Sequence, residues 1–194
     1  MLAVLQAALR LTKSDDVSEF VRLIEGRVAA MARAQNLLSA DDWSGADLHL
    51  MLLDEFAFYF LPAETGPRVQ LDGPKLPIPA TAAQAFSMAI HELATNAIKF
   101  GSLSSPTGRL RISWHVEETS NVLQFRWVES GGPLVHGPPD RRGFGSRILT
   151  NTLRIQLGGT IFMAWEPTGL VCDLAVPLRR TGHAVAAGGG AKRS

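Results

Sequence analysis

The sequence predicts an α+β fold, a helical hairpin followed by a two-layer α/β sandwich. Three observations carry this expectation. Residues 1–60 read as helices with long apolar stripes. Prolines and glycines at 62, 66, 67, 73, 74, 77 and 79 then exclude a long helix. Beyond them, helical spacing and strand alternation take turns, as in one sheet covered by helices on one face. The expected division is a helical region over 1–61, a sandwich over 62–180 and a disordered tail over 181–194.

Each element has its own signal. "MLAVLQAALRLTK" places Leu2, Leu5 and Leu9 on one helical face. It lacks a basic leader and a cleavage site, so it reads as an amphipathic helix and not a signal peptide. Val17, Phe20, Ile24, Val28, Met31 and Leu38 form the stripe of a second helix, opened by a capping box of Asp16 and Glu19. A third helix is expected from Ser44, with Asp47 three residues on, to about Phe60. "RVQLD" is a short strand candidate, and a helix follows over 80–100 with Phe86, Ile90, Leu93, Ala97 and Phe100 as its stripe. "RLRISWHVEE" and "NVLQFRWVES" alternate as strands. A Gly/Pro-rich segment precedes a helix over 144–157, and "TIFMAW" and "LVCDLAVPL" flank the turn "EPTG" as a hairpin.

Composition bounds the function. The chain has 194 residues, 46% of them hydrophobic, enough for one substantial domain. A formal net charge of +1 creates no whole-chain field for nucleic acid, so no nucleic-acid partner is expected. The single cysteine, Cys172, forms no internal disulfide and favours a reducing, cytoplasmic compartment. No run approaches the roughly 20 apolar residues of a membrane span. Cys172, Trp114 and Trp165 read as packed residues, His115 and His136 as exposed ones.

Three stretches could carry chemistry. In "HELATNAIKFG", Glu92, Asn96 and Lys99 recur at i, i+4 and i+7, so an acid, an amide and an amine share a ridge bordering the apolar face. The ridge would line a cleft between helix and sheet, or else be a solvated flank. In "WVESGGP", alternation puts Glu129 on the face of Leu123, Phe125 and Trp127, where a carboxylate needs a donor. Gly131 and Gly132 beside it permit close backbone approach. The alternative is a strand-ending glutamate at the sheet margin. In "GFGSRIL", Gly143 and Gly145 open a helix whose free N–H groups suit phosphate, with Arg141 and Arg142 upstream. The alternative is a plain loop-to-helix junction. Taken in order, the three describe a nucleotide site. Asn96 oxygen would coordinate Mg²⁺, a cation that favours hard oxygen ligands. Glu129 would accept from a base amine, and the glycines would face phosphates.

These stretches resemble the N box and the two Gly boxes of HWE-type sensor histidine kinases, named for a His in the N box and a Trp-x-Glu pair. Here those residues are His91, Trp127 and Glu129. "EGRVAAMARAQNLL" and "WSGADL" resemble that family's dimerisation and phosphoacceptor region, so the likeness covers residues 1–177. It implies a Bergerat (GHKL-type) ATP-binding fold, ATP and Mg²⁺ as cofactors, a response-regulator receiver domain as partner, and a homodimer through the N-terminal helices. By resemblance, Asn96 is the metal ligand and Lys99 faces phosphate. Glu92 stands where hydrolysing relatives keep a water-activating acid. Glu129, Gly131, Gly132, Arg142, Gly143, Phe144 and Gly145 border the nucleotide, with His91 and Trp127 as family markers in the same site. The implied activity is phosphoryl transfer from ATP to a histidine, then to an aspartate of a response regulator.

One departure bears on activity. In that family a His-Arg-x-Lys-Asn acceptor motif precedes the helix that "MLAVLQAALRL" resembles. The histidines here are 49, 91, 115, 136 and 183, and none lies in that first helix. The expectation is a chain that starts downstream of its acceptor. The alternatives are a catalytically silent ATP-binding scaffold, an anti-sigma-type serine kinase, and a hydrolysing ATPase of the same fold.

Overall fold

The structure is a computed structural model that describes residues 16–40, 45–57, 67–138, 150, 153–154 and 158–178. The expected helix over 1–13, most of the one over 144–157, and the tail lie outside these residues.

Alternation builds the sheet. Strands β4 (Arg109–Glu117) and β5 (Val122–Ser130) pair antiparallel, with Leu110, Ile112 and Trp114 buried on one strand and Leu123, Phe125 and Trp127 on the other. β6 (Thr160–Glu166) and β7 (Gly169–Pro177) close a hairpin across Pro167 and Thr168, as the turn residues predict. β2 (Val69–Asp72) lies parallel to β4, and the sheet order is β2-β4-β5-β7-β6. The parallel pair needs a long crossover, which contains the helix α3 (Ala80–Lys99).

α3 starts where Pro79 offers its carbonyl to the N–H groups of Ala82 and Ala83. Phe86, Ile90, Leu93 and Ala97 are buried, and Phe86 meets Phe125 edge-on at 5.9 Å between ring centroids. Phe100 departs from the expected stripe and is exposed. The helix ends at Lys99, and Phe100 at φ −132° has already left helical geometry.

The third helix is shorter than expected. Ala46 and Asp47 form β1, paired with β3 (Pro77–Ile78). Asp47 then caps α2 (Leu48–Glu55) by accepting from the Leu50 N–H at 3.0 Å. Strand pairing therefore delays the helix beyond Ser44. Leu48, Met51, Leu52 and Phe56 enter the same core as the sheet, with Phe56 5.8 Å from Trp127. The apolar core thus runs across the compositional shift at residue 62.

The long helix α1 (Val17–Ala40) lies antiparallel on α3. Asp16 caps it, accepting from Ser18 and Glu19 N–H groups at 2.7 and 3.4 Å. Its inner face is Arg27, Ala30, Met31, Ala34 and Leu38, while Val17 and Val28 of the expected stripe are exposed. The face is set by contact with α3: Ser87 Oγ donates to Ala30 O at 2.9 Å, and Gln84 to Gln35 at 2.8 Å.

Candidate functional site

The polar ridge of α3 meets α1, and does not line a cleft toward the sheet. Glu92 is buried and accepts from Arg27 Nε at 2.6 Å, both side chains withdrawn from water. Lys99 Nζ lies 3.5 Å from Glu19 of α1. His91 turns to α2, with Nδ1 2.8 Å from Glu55 Oε1, while Arg33 holds the other Glu55 oxygen at 2.6 Å. Burial pushes the Glu55 carboxyl up, but the hydrogen bond and charge of His91, with Arg33, outweigh it and leave it below its ordinary value. Helix α1 approaches closely here, since a Cβ on Gly26 would lie 2.9 Å from His91 Nε2. Asn96 is different. It is exposed, and its side-chain amide makes no hydrogen bond among the described residues.

Glu129 is the buried carboxylate that alternation predicts. Its donors come from two places. Trp127, two residues back on the same face of β5, donates its indole N–H to Oε1 at 3.0 Å. The backbone N–H of Ser102 donates to Oε2 at 2.7 Å. Burial raises the Glu129 carboxyl above its ordinary value, and the Ser102 backbone, the Trp127 indole and the Ser102 side chain pull the other way. The Trp-x-Glu spacing thus has a local cause: i and i+2 on a strand lie side by side, so the indole reaches the carboxylate.

Ser102 was not foreseen from sequence. It opens a short 3₁₀ turn, Ser102–Ser104, directly after α3. Three contacts hold the following loop. Arg68 donates to the carbonyls of Leu103 and Ser105 at 2.8 and 2.5 Å, and Thr107 Oγ1 donates to Gly131 O at 3.1 Å. Gly131 sits at φ +68°, a left-handed conformation that favours glycine. Gly101 is the point where α3 and β5 touch. A Cβ there would stand 2.0 Å from Glu129 Oε2 and 2.9 Å from Ala97 Cα. Only a residue without a side chain lets the Ser102 N–H reach the carboxylate.

The fold therefore brings the C-terminal end of α3, the 101–108 loop and the Glu129-Gly131-Gly132 end of β5 together. It sends His91 and Glu92 to the other helices. Arg142, Gly143, Phe144 and Gly145 lie outside the described residues. A cavity of about 510 Å³ lies elsewhere, against His49, Asp72 and Arg111, and touches none of the candidate residues. Cys172 is packed, with its thiol pushed up to about 12 by burial and by Asp173.

The donor set fits a cation that takes most of its ligands from elsewhere. Among the described residues no three His, Cys, Asp or Glu side chains converge on a metal site. Asn96 supplies a single free amide oxygen, which suits Mg²⁺ bound chiefly through substrate phosphates and water.

Comparison with known proteins agrees with this architecture. The sequence profile described as HWE histidine kinase matches residues 1–75. A blue-light-activated histidine kinase of Rhizobium johnstonii is 32% identical over 179 residues, 91% of this chain and 50% of that protein. One from Brucella anthropi is 35% identical over 158 residues, 80% of this chain and 32% of that protein. The chain spans half or less of the length of these relatives. The histidine kinase domain of the Erythrobacter litoralis EL346 blue-light activated histidine kinase superposes with a TM-score of 0.63, covering 91% of each chain at 16% identity, a likeness of fold. The Trp127–Glu129 pair and the helix-covered mixed sheet accord with this likeness to HWE histidine kinases over residues 1–75 and to blue-light-activated histidine kinases over most of the chain.

Proposed function

We propose that the chain is the ATP-binding core of a two-component histidine kinase. The observation that supports it best is the buried Glu129 carboxylate, supplied with two donors and set at the junction with α3, one turn beyond the free amide of Asn96. Glu129 accepts from the exocyclic amine of the base. Asn96 holds Mg²⁺, which when bound neutralises phosphate charge. Lys99 turns from Glu19 toward phosphate, an exchange made easy because a partly exposed ion pair is worth little. Gly143 and Gly145, with Arg142 and Phe144, border the phosphates. The protein's part is positioning and charge neutralisation, as is general for phosphoryl transfer.

The γ-phosphoryl goes to a histidine on the family's acceptor helix and then to an aspartate of a response regulator. The helices upstream of residue 40 form the homodimer. The ATP-binding unit begins near residue 45, since α2 shares its core. Of the hydrolysing relatives' chemistry, the acid at Glu92 is neutralised by Arg27 in this conformation, which argues against water activation there.

The test is labelled Mg·ATP with a version of the protein that carries the acceptor motif, beside its Asn96→Ala variant. Acid-labile, alkali-stable phosphoprotein in the parent and at least a hundredfold loss in the variant are expected. Free phosphate alone would indicate hydrolysis, ATP binding without either product a silent scaffold, and acid-stable phosphoprotein a serine kinase. Full activity in the variant would remove the metal assignment.

A further inference from the structure

The polar ridge of α3 has a counterpart on α1. In antiparallel register, the acid of the ridge, Glu92, meets a base of α1, Arg27, at 2.6 Å. Its base, Lys99, meets an acid of α1, Glu19, at 3.5 Å. Glu92 to Lys99 on α3 and Glu19 to Arg27 on α1 each span about two helical turns. Over that length one helix is the charge complement of the other.

The two contacts differ in strength. The buried residues of α1 begin at Arg27 and continue through Ala30, Met31, Ala34 and Leu38. No residue from 17 to 26 is buried, and Val17 and Val21 are exposed. The polar contact that ties these first turns to α3 is Glu19 on Lys99, with 48% and 24% of the two side chains exposed. Such a contact yields easily. Lys99 stands about one turn beyond Asn96, so an anion held at these two residues arrives against the first turns of α1. There it meets Glu19 as a rival for the ammonium, and Glu19 and Asp16 as like charges.

We propose that residues 17–26 of α1 are a self-inhibitory latch that competes with the triphosphate of a nucleotide for the ridge and pivots about the Arg27–Glu92 pair. This rests on the nucleotide reading above and adds its regulation. With the latch closed, Glu19 stands on Lys99 in the place of a phosphate. A bound nucleotide takes Lys99, repels Glu19 and Asp16, and frees these turns, while Arg27 and the apolar residues beyond it stay docked. The coupling is reciprocal. Whatever draws these turns off α3 therefore raises nucleotide affinity, by up to about fivefold for a partly exposed pair.

The experiment uses the full chain, Glu19→Gln and, as a control of equal charge change, Glu25→Gln at an exposed position of the same helix. Amide exchange over residues 17–26 is read by mass spectrometry, with and without a non-hydrolysable ATP analogue and Mg²⁺. Affinity for the analogue is read by calorimetry. In the parent, the analogue is expected to speed exchange over 17–26 severalfold and to leave 27–38 protected. E19Q is expected to bind the analogue about two- to fivefold more tightly, and E25Q to match the parent. Loss of an acid from the first turn loosens a helix by itself, so for E19Q the affinity decides and the exchange does not. Unchanged or slower exchange over 17–26 in the nucleotide-bound parent would overturn the latch. So would an E19Q affinity equal to the parent's, and so would equal gains in E19Q and E25Q, which reduce the effect to net charge. A parent that binds no analogue removes the nucleotide reading and this inference with it. A parent that binds it with α1 unmoved removes the latch alone.

Discussion

A buried glutamate needs donors, and at Glu129 the sequence neighbour Trp127 is one of them. The indole hydrogen bond favours the charged carboxylate that an amine ligand requires, against the pull of burial. The two consequences for pH have opposite signs. Glu129 binds its proton more tightly folded than unfolded, so its contribution to stability is fully present below the unfolded pKa and declines as pH rises through the raised value. On the proposed nucleotide reading, affinity instead falls as pH drops through that value, because a neutral acid accepts from an amine more weakly than a carboxylate does. Binding of an ATP analogue followed from pH 7.5 to 5 is therefore expected to weaken at a pH above the ordinary glutamate value of 4.5. In Trp127→Phe, which loses the indole donor, the weakening moves to higher pH. Coincident profiles for parent and variant would show that Trp127 is only a core aromatic.

At the scale of elements, α1 and α3 are joined by one strong polar contact and several weak ones. Arg27 and Glu92 are both withdrawn from water at 2.6 Å. Removing one partner strands a buried charge, and such losses run about 3–5 kcal/mol. Arg27→Ala is expected to destabilise by that order in urea unfolding. The double replacement Arg27→Met with Glu92→Leu, apolar on both sides, is expected to recover most of it. A double variant as unstable as R27A would mean that the pair contributes more than its desolvation costs. The Glu19–Lys99 contact, with Glu19 half exposed, is worth less than about 1 kcal/mol. α1 is thus held firmly at Glu92 and loosely at Lys99, the end nearer Asn96.

For the molecule as a whole, the limit of the folding unit decides which pieces survive alone. The change in composition near residue 62 suggests a linker, yet Leu48, Met51, Leu52 and Phe56 lie in the core with Trp127. Burying each such side chain is worth about 1.5–3 kcal/mol, so losing the four removes about 6–12 kcal/mol. That approaches the whole stability of a typical domain. A fragment beginning at residue 62 is expected to lack a cooperative thermal transition, whereas one beginning at residue 45 keeps it. Cooperative unfolding of the shorter fragment would restore the boundary at 62.

Much of this fold was legible in the chain because its signals are local. The alternation in β4 and β5 places Trp114, Phe125, Trp127 and Glu129 inside, and a Pro-Thr turn closes β6 on β7. Strand periodicity and turn chemistry act over two to four residues, so sequence states them directly. The family markers His91, Trp127 and Glu129 are equally local. Only the tertiary structure decided what the polar residues do. Glu92 and Asn96 stand one turn apart on α3, yet one is neutralised by Arg27 and the other is free, because α1 packs over the first. Ser102 carries no motif, and its importance comes from a backbone N–H brought to Glu129 by a glycine that leaves room. Partners 27 or 65 positions apart in sequence are chosen by packing, and no local pattern records them.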